Sequence, residues 1–170
     1  MPCEPVRQSL DVSQPFLLGE HRRSLDERYG LSLPADLADR LCAAGEDCVL
    51  TKERAGVLGL WNASDWRGKL EAGIRLVKDK MQAGRLDGRL DEVQTLGRLL
   101  STRHTFVRLA GRARLSIPEG FREFLGVAPG GELLVVGAAV SVELWRPEVW
   151  FGYIEEQMPE FRRLFDQLSG

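Results

Sequence analysis

Leu25-Asp26-Glu27-Arg28-Tyr29-Gly30-Leu31-Ser32-Leu33-Pro34 is matched later in the chain by Leu109-Ala110-Gly111-Arg112-Ala113-Arg114-Leu115-Ser116-Ile117-Pro118, at an offset of 118 − 34 = 84. Working outward, the same ungapped offset pairs Trp61 with Trp145 (145 − 61 = 84) and Trp66 with Trp150 (150 − 66 = 84). It also pairs Leu37 with Phe121, Leu41 with Leu125, Leu50 with Leu134 and Leu60 with Leu144. All four tryptophans of the chain thus fall into two matched couples. Rare residues agreeing at one offset mark a duplication, and a repeat has to be recognised before the fold can be read.

Each copy reads as a β-rich unit. Leu31-Ser32-Leu33 and Leu115-Ser116-Ile117 alternate apolar with small polar residues, the pattern of a half-buried strand. Pro34 and Pro118 follow at once, where proline suits the start of a helix. Leu37 with Leu41, and Phe121 with Leu125, then stand four apart on one helical face. Gly45 and Gly126 are the expected helix ends. A hairpin is expected next, from Glu132–Val136 through Gly137-Ala138-Ala139 to Val140–Trp145, and in the first copy from Asp47–Lys52 to Gly56–Trp61.

Residues 67–99 between the copies read as helical: Leu70, Ile74, Val77 and Met81, then Leu86, Leu90, Val93 and Leu96, recur at helical spacing. After Pro159, Phe161, Leu164, Phe165 and Leu168 make a second apolar stripe. It is expected to pack on its own domain, an oligomer contact being the alternative. The expected organisation is therefore an N-terminal extension (1–15, read as disordered), a first repeat (16–66), a helical connector (67–99), a second repeat (100–154) and a C-terminal amphipathic helix (155–170).

These features resemble the MraZ family of bacterial transcription regulators, within the AbrB superfamily of swapped-hairpin folds. The resemblance rests on the two quoted stretches, on Leu144-Trp145-Arg146-Pro147-Glu148-Val149-Trp150, and on the tandem order of the copies, and it spans about Phe16 to Tyr153. It implies an α+β fold in which two tandem swapped-hairpin repeats interleave as an intrachain pseudo-dimer around a β-barrel-like core, with connecting and C-terminal helices. It further implies a repressor of the division and cell-wall gene cluster, binding direct repeats in promoter DNA as a ring-shaped homo-oligomer, cytoplasmic and nucleoid-associated. The alternative is an oligomeric assembly or scaffold protein that kept the fold and lost operator binding.

The chain departs from the family's Asp-x-x-x-Arg signature in both copies. The first has Asp26 but Gly30 in the arginine position; the second has Arg114 but Ala110 in the aspartate position. If the copies interleave, Asp26 and Arg114 can pair with each other, which requires their charged atoms within about 4 Å. On an alternating strand Arg112, Arg114 and Ser116 share the face opposite Leu115 and Ile117. Arginines so placed on an exposed ribbon can reach phosphates or guanine edges, and equally can serve to keep an edge soluble. Arg22, Arg23, Arg28, Arg108, Arg112 and Arg114 are the candidate DNA contacts, and should converge on one face if DNA is bound. Asp26, Pro34, Trp61, Trp66, Pro118, Trp145 and Trp150 are signature and structural positions.

Charge supports a local rather than a global basic surface. The net charge is −2, yet Val93 to Pro118 contains no acidic residue and holds Arg98, Arg103, Arg108, Arg112, Arg114 and His104. Such a patch is compatible with phosphate contacts, or with a solvated face paired to the acidic C-terminal third. No apolar run approaches a membrane span, and the first residues carry no secretory core. Cys3, Cys42 and Cys48, with only His21 and His104 besides, do not make a zinc pattern, so no metal and no cofactor is expected. No phosphate loop, metalloprotease helix or nucleophile elbow is present, so neither an enzyme nor a small-molecule substrate is expected. The histidines stand at nearly equivalent positions, since 21 + 84 = 105.

Overall fold

The computed structural model describes residues 16–42, 47–111 and 113–170. The expected N-terminal extension, the helix end at Gly45 and the side chain of Arg112 lie outside the described residues.

In the first copy β1 (Glu20–Ser24), β2 (Gly30–Ser32), α1 (Ala35–Leu41), β3 (Asp47–Arg54) and β4 (Val57–Asn62) follow in order. Two helices come next, α2 (Ala63–Gln82) and α3 (Leu90–Arg103). The second copy gives β5 (His104–Arg108), β6 (Arg114–Ser116), α4 (Glu119–Leu125), β7 (Glu132–Gly137) and β8 (Val142–Trp145), then α5 (Pro147–Gln157), a 3₁₀ turn and α6 (Phe161–Ser169). The fold is α+β with antiparallel pairing throughout.

Strands of the two copies alternate. Six of them form one sheet in the order β1-β7-β8-β4-β3-β5, and β2 pairs with β6 in a separate ribbon. The first strand of each copy therefore lies on the other copy's hairpin: Glu20 opposes Val136, and His104 opposes Thr51. Around the ribbon the exchange is reciprocal, since Leu33 N–H donates to the Ala113 carbonyl at 2.9 Å and Ile117 N–H to the Tyr29 carbonyl at 3.0 Å. Tyr29 (φ 59°) and Ala113 (φ 62°) both sit in the left-handed region, at one repeat position (113 − 29 = 84). Neither is Gly or Asn, so both copies hold the same strained turn against propensity.

The core explains the alternation seen in the sequence. Leu31, Leu33, Leu115 and Ile117 of the ribbon region, Leu37, Leu41, Phe121 and Leu125 of α1 and α4, and Leu50, Leu58, Leu60, Leu133, Val135 and Leu144 of the sheet pack in one buried cluster. On the opposite face of the sheet Val57, Leu134, Val136 and Trp145 pack under Trp150 of α5. Burying a leucine-sized side chain contributes about 1.5–3 kcal/mol, so neither repeat can spare the other's contribution to the shared cluster.

The structure corrects several expectations. Leu50 does not match Leu134: Leu50 opposes Leu60 while Val135 opposes Leu144, so the true offset in β3 is 135 − 50 = 85. The extra residue is absorbed at the irregularity between Lys52 and Arg54, after which Leu60 and Leu144 are again 84 apart. A one-residue slip turns every side chain over, and the bulge restores the core face. The histidines stand one residue from equivalence, as their spacing implies. His104 opposes Thr51, and the matching rung of the other half (51 + 85 = 136) is Val136, whose partner is Glu20, not His21.

The connector helices run from Ala63 to Arg103, beyond the expected 67–99; the early start comes from Asn62, which caps α2 by accepting the N–H groups of Ser64 and Asp65. Trp66 accordingly lies inside α2. The first helix ends at Leu41 with Cys42 as its cap, whereas Gly126 ends α4 with φ 74° as read from sequence. The α6 stripe does not pack on its own domain: Phe161, Leu164, Phe165 and Leu168 are all exposed, as are Leu76, Leu90, Leu96 and Leu99 of α2 and α3.

Candidate nucleic-acid interface

The turn from β1 to β2 and the β2–β6 ribbon build the site. Asp26 Oδ1 accepts the backbone N–H groups of Arg28 and Gly30, each at 2.8 Å, which closes the turn and fixes the carboxylate. Its Oδ2 accepts from Arg114 Nη2 at 2.6 Å. Arg114 also donates through Nη1 to Ser32 Oγ at 3.4 Å, and Arg23 Nε donates to the Ser32 carbonyl at 3.1 Å. The Asp26 carboxyl is held below its ordinary value, first by the Gly30 and Arg28 N–H groups; burial opposes the shift, and the charges of Arg114 and Arg28 add to it. Side chains of both copies meet here: Arg23, Asp26, Arg28 and Ser32 from one, Arg114 from the other.

The structure brings together some of the sequence-derived candidates and separates others. Arg23, Arg28 and Arg114 gather around Asp26 and Ser32. Arg22 points elsewhere, pairing with Glu132 at 3.3 Å and lying over the Phe151 ring of α5. Arg108 stands on β5, the edge of the sheet opposite β1, and is engaged by Asp47 at 3.2 Å. The five described candidates, Arg22, Arg23, Arg28, Arg108 and Arg114, therefore do not form one face.

Arg122 was not among the candidates. It stacks on Tyr29 at 4.2 Å and donates to the Ile117 carbonyl at 2.8 Å, so α4 of one copy braces the strained turn of the other. No signal in a single sequence marks that contact, because it spans the two copies. Gly30 is similarly informative only in three dimensions. A Cβ built there would stand 2.7 Å from Asp26 Oδ2 and 3.0 Å from Arg114 Nη2, so the residue that replaces the signature arginine also makes room for the ion pair.

The signature tryptophans support the scaffold rather than this face. Trp145 packs against Trp150 at 5.1 Å, and Trp150 Nε1 donates to Glu20 Oε1 at 2.8 Å, tying α5 to β1. Trp66 stacks on His104 at 4.4 Å, and Lys69 lies over Trp61. Beside Trp145, burial pushes the Glu143 carboxyl up, the Trp145 N–H opposes that shift, and nearby Glu53 adds to it. The Cys42 and Cys48 sulfurs are 3.9 Å apart, and burial, then Cys42, pushes the Cys48 thiol up to about 12. Among the described residues no group of three or more His, Cys, Asp or Glu is gathered as a metal site would require, and no helix is long and apolar enough to cross a membrane.

No family model matches the chain. Curated relatives do. The chain is 28% identical over 142 residues to the transcriptional regulator MraZ of Thermus thermophilus, covering 84% of this chain and 88% of the relative. It is 25% identical over 143 residues to that of Clostridium botulinum, covering 84% and 90%. With that of Arthrobacter sp. it shares 25% over 161 residues, covering 91% and 99%. These matches span most of this chain and of each relative, so across both copies and the helices between them the chain is similar to the transcriptional regulators named MraZ.

Proposed function

We propose that this chain is a DNA-binding transcriptional regulator that contacts duplex DNA through the β2–β6 ribbon and its adjoining turns. The observation that carries the reading is the network Arg23–Ser32–Arg114–Asp26–Arg28, an exposed, preorganised basic cluster on a two-stranded ribbon, in a chain whose relatives are named transcriptional regulators. A β-ribbon fits a major groove, and arginine is suited to phosphate oxygens and guanine edges.

The finer reading is that the two repeats (16–66 and 100–154) form an intrachain swapped-hairpin pseudo-dimer, for which the interleaved strand order speaks. In it the chain assembles as a homo-oligomeric ring that represses the division and cell-wall cluster through direct promoter repeats, in the cytoplasm at the nucleoid. The exposed apolar faces of α3 and α6 support assembly, because a soluble protein rarely leaves such stripes uncovered. A second reading, a ring-forming scaffold without operator binding, is favoured by two observations: Arg22 and Arg108 stand away from the ribbon cluster, and Arg22, Arg108 and Arg114 are each already paired to a carboxylate of the same chain.

Titration of the purified protein against duplex DNA from its own upstream region, at several salt concentrations, separates the two. Regulation through DNA predicts saturable binding whose log affinity falls with log salt by about 0.9 per phosphate neutralised. Absence of saturable binding at low salt supports the scaffold.

A further inference from the structure

We infer that the two halves of the DNA face are not equivalent: Asp26 and Arg114 form one composite base-reading element per chain, suited to guanine, and the matching place at Gly30 and Ala110 is blank. The inference rests on the DNA-binding reading above and goes on to say which atoms discriminate between bases.

The repeat places two such elements on the ribbon. Each would combine an aspartate from one copy with an arginine from the other, since β2 and β6 run antiparallel and Gly30 opposes Ser116 while Ser32 opposes Arg114. One element is complete: Asp26 and Arg114, joined at 2.6 Å across 88 residues of chain. The other would need an arginine at Gly30 and an aspartate at Ala110, and has neither. The first absence leaves room for the complete element, because a side chain at Gly30 would intrude on Asp26 and Arg114.

The chemistry of the complete element favours a base edge over a phosphate. Arg114 is half exposed, and of the five N–H donors of a guanidinium the structure engages one on Nη1 and one on Nη2, leaving 5 − 2 = 3 for a ligand. A carboxylate 2.6 Å away cancels much of the long-range attraction to phosphate. It does not cancel the directional donors, and it holds the guanidinium in one orientation, so less side-chain freedom is lost on binding. Guanine presents two acceptors, O6 and N7, to such a donor pair in the major groove. Asp26 is a positioning residue, itself fixed by the N–H groups of Arg28 and Gly30. A protein face with two equivalent halves reads a two-fold symmetric site; with one half blank the element read has no dyad.

The test uses the full chain and duplexes tiled across its own upstream DNA, with guanine replaced position by position by 7-deazaguanine, which pairs normally but lacks the N7 acceptor. In wild type, replacement within one element per bound chain should weaken binding on the order of tenfold. Arg114→Lys keeps the charge but not the planar fork, and should bind both duplexes alike. Asp26→Asn keeps an oxygen for the two turn N–H groups. It should lose the 7-deaza penalty while binding mixed-sequence DNA at least as tightly, because a negative charge has gone. A purely structural ion pair would leave the penalty intact in both variants, and that result overturns the inference. So does a penalty from two symmetric elements per chain, or none in wild type that binds saturably. Absence of DNA binding in wild type at low salt overturns the underlying reading as well.

Discussion

Asp26 of the first copy and Arg114 of the second, 88 residues apart in the chain, meet at 2.6 Å, so that two half-signatures make one ion pair. The carboxylate is held first by the Gly30 and Arg28 N–H groups and then by the guanidinium charges, all of which favour its ionised form. Its folded pKa is therefore depressed. The stability it contributes is present above the ordinary aspartate value of about 3.9 and is lost as pH falls through the lower folded value. Melting temperature measured from pH 6 downward should fall across that acid window in wild type. Asp26→Asn should flatten the fall. An unchanged acid limb in Asp26→Asn would contradict the assignment. Because both side chains are about half exposed, Arg114→Ala should change stability less than Asp26→Ala, which also opens the turn.

Trp150 joins α5 to the edge strand β1 through Glu20 and packs on Trp145. Trp150→Ala should cost about 3–5 kcal/mol in urea unfolding, since it empties the centre of the outer cluster. Trp150→Phe keeps the ring contact and should lose about 1 kcal/mol for the hydrogen bond. If Glu20→Ala and Trp150→Phe each cost this much and their combination costs no more than either, the contact is the cause.

Each copy's first strand lies on the other copy's hairpin, so neither half can complete the sheet alone. Separate chains cut at the turn before α3 are expected to lack a cooperative unfolding transition by circular dichroism when isolated, and to recover one when mixed. A monomeric half with its own sharp transition would contradict the interleaved arrangement.

The Cys48 thiol is buried and pushed up to about 12. At about pH 9, where an ordinary thiol is largely thiolate, Cys48 should resist alkylation in the folded protein and react on unfolding in urea. Peptide mapping after a timed iodoacetamide pulse checks this; rapid modification of Cys48 in the folded state would contradict it.

Much of this architecture was legible in the sequence. The Trp61/Trp145 and Trp66/Trp150 couples defined the duplication, and the Leu-Ser-Leu-Pro and Leu-Ser-Ile-Pro stretches placed a strand and a helix start in each copy. The Asp26–Arg114 pairing followed from putting the repeat together with the expectation of interleaving. Local slips were hidden. An ungapped offset matched Leu50 to Leu134 because leucine stands at both places, whereas the ladder matches Leu50 to Val135, with the bulge between Lys52 and Arg54 restoring phase. The start of the connector moved because Asn62 caps α2 several residues before the apolar spacing becomes evident. The candidate site was only partly readable. Six arginines near the signature were grouped by sequence, but strand direction sends Arg22 toward α5 and Arg108 to the far edge. The bracing of Tyr29 by Arg122 depends on contact between copies, which spacing cannot express.

The most direct test of the account is the salt dependence of DNA binding in wild type beside a variant with Arg23, Arg28 and Arg114 all replaced by alanine. Fluorescence anisotropy on the chain's own upstream duplex should give a steep negative slope of log affinity against log salt for wild type. The slope should shrink by about 0.9 for each of the three side chains that had neutralised a phosphate, and Arg114 should contribute less than the others if it reads a base. A variant that binds with the affinity and slope of wild type would contradict the placement of DNA on the β2–β6 ribbon.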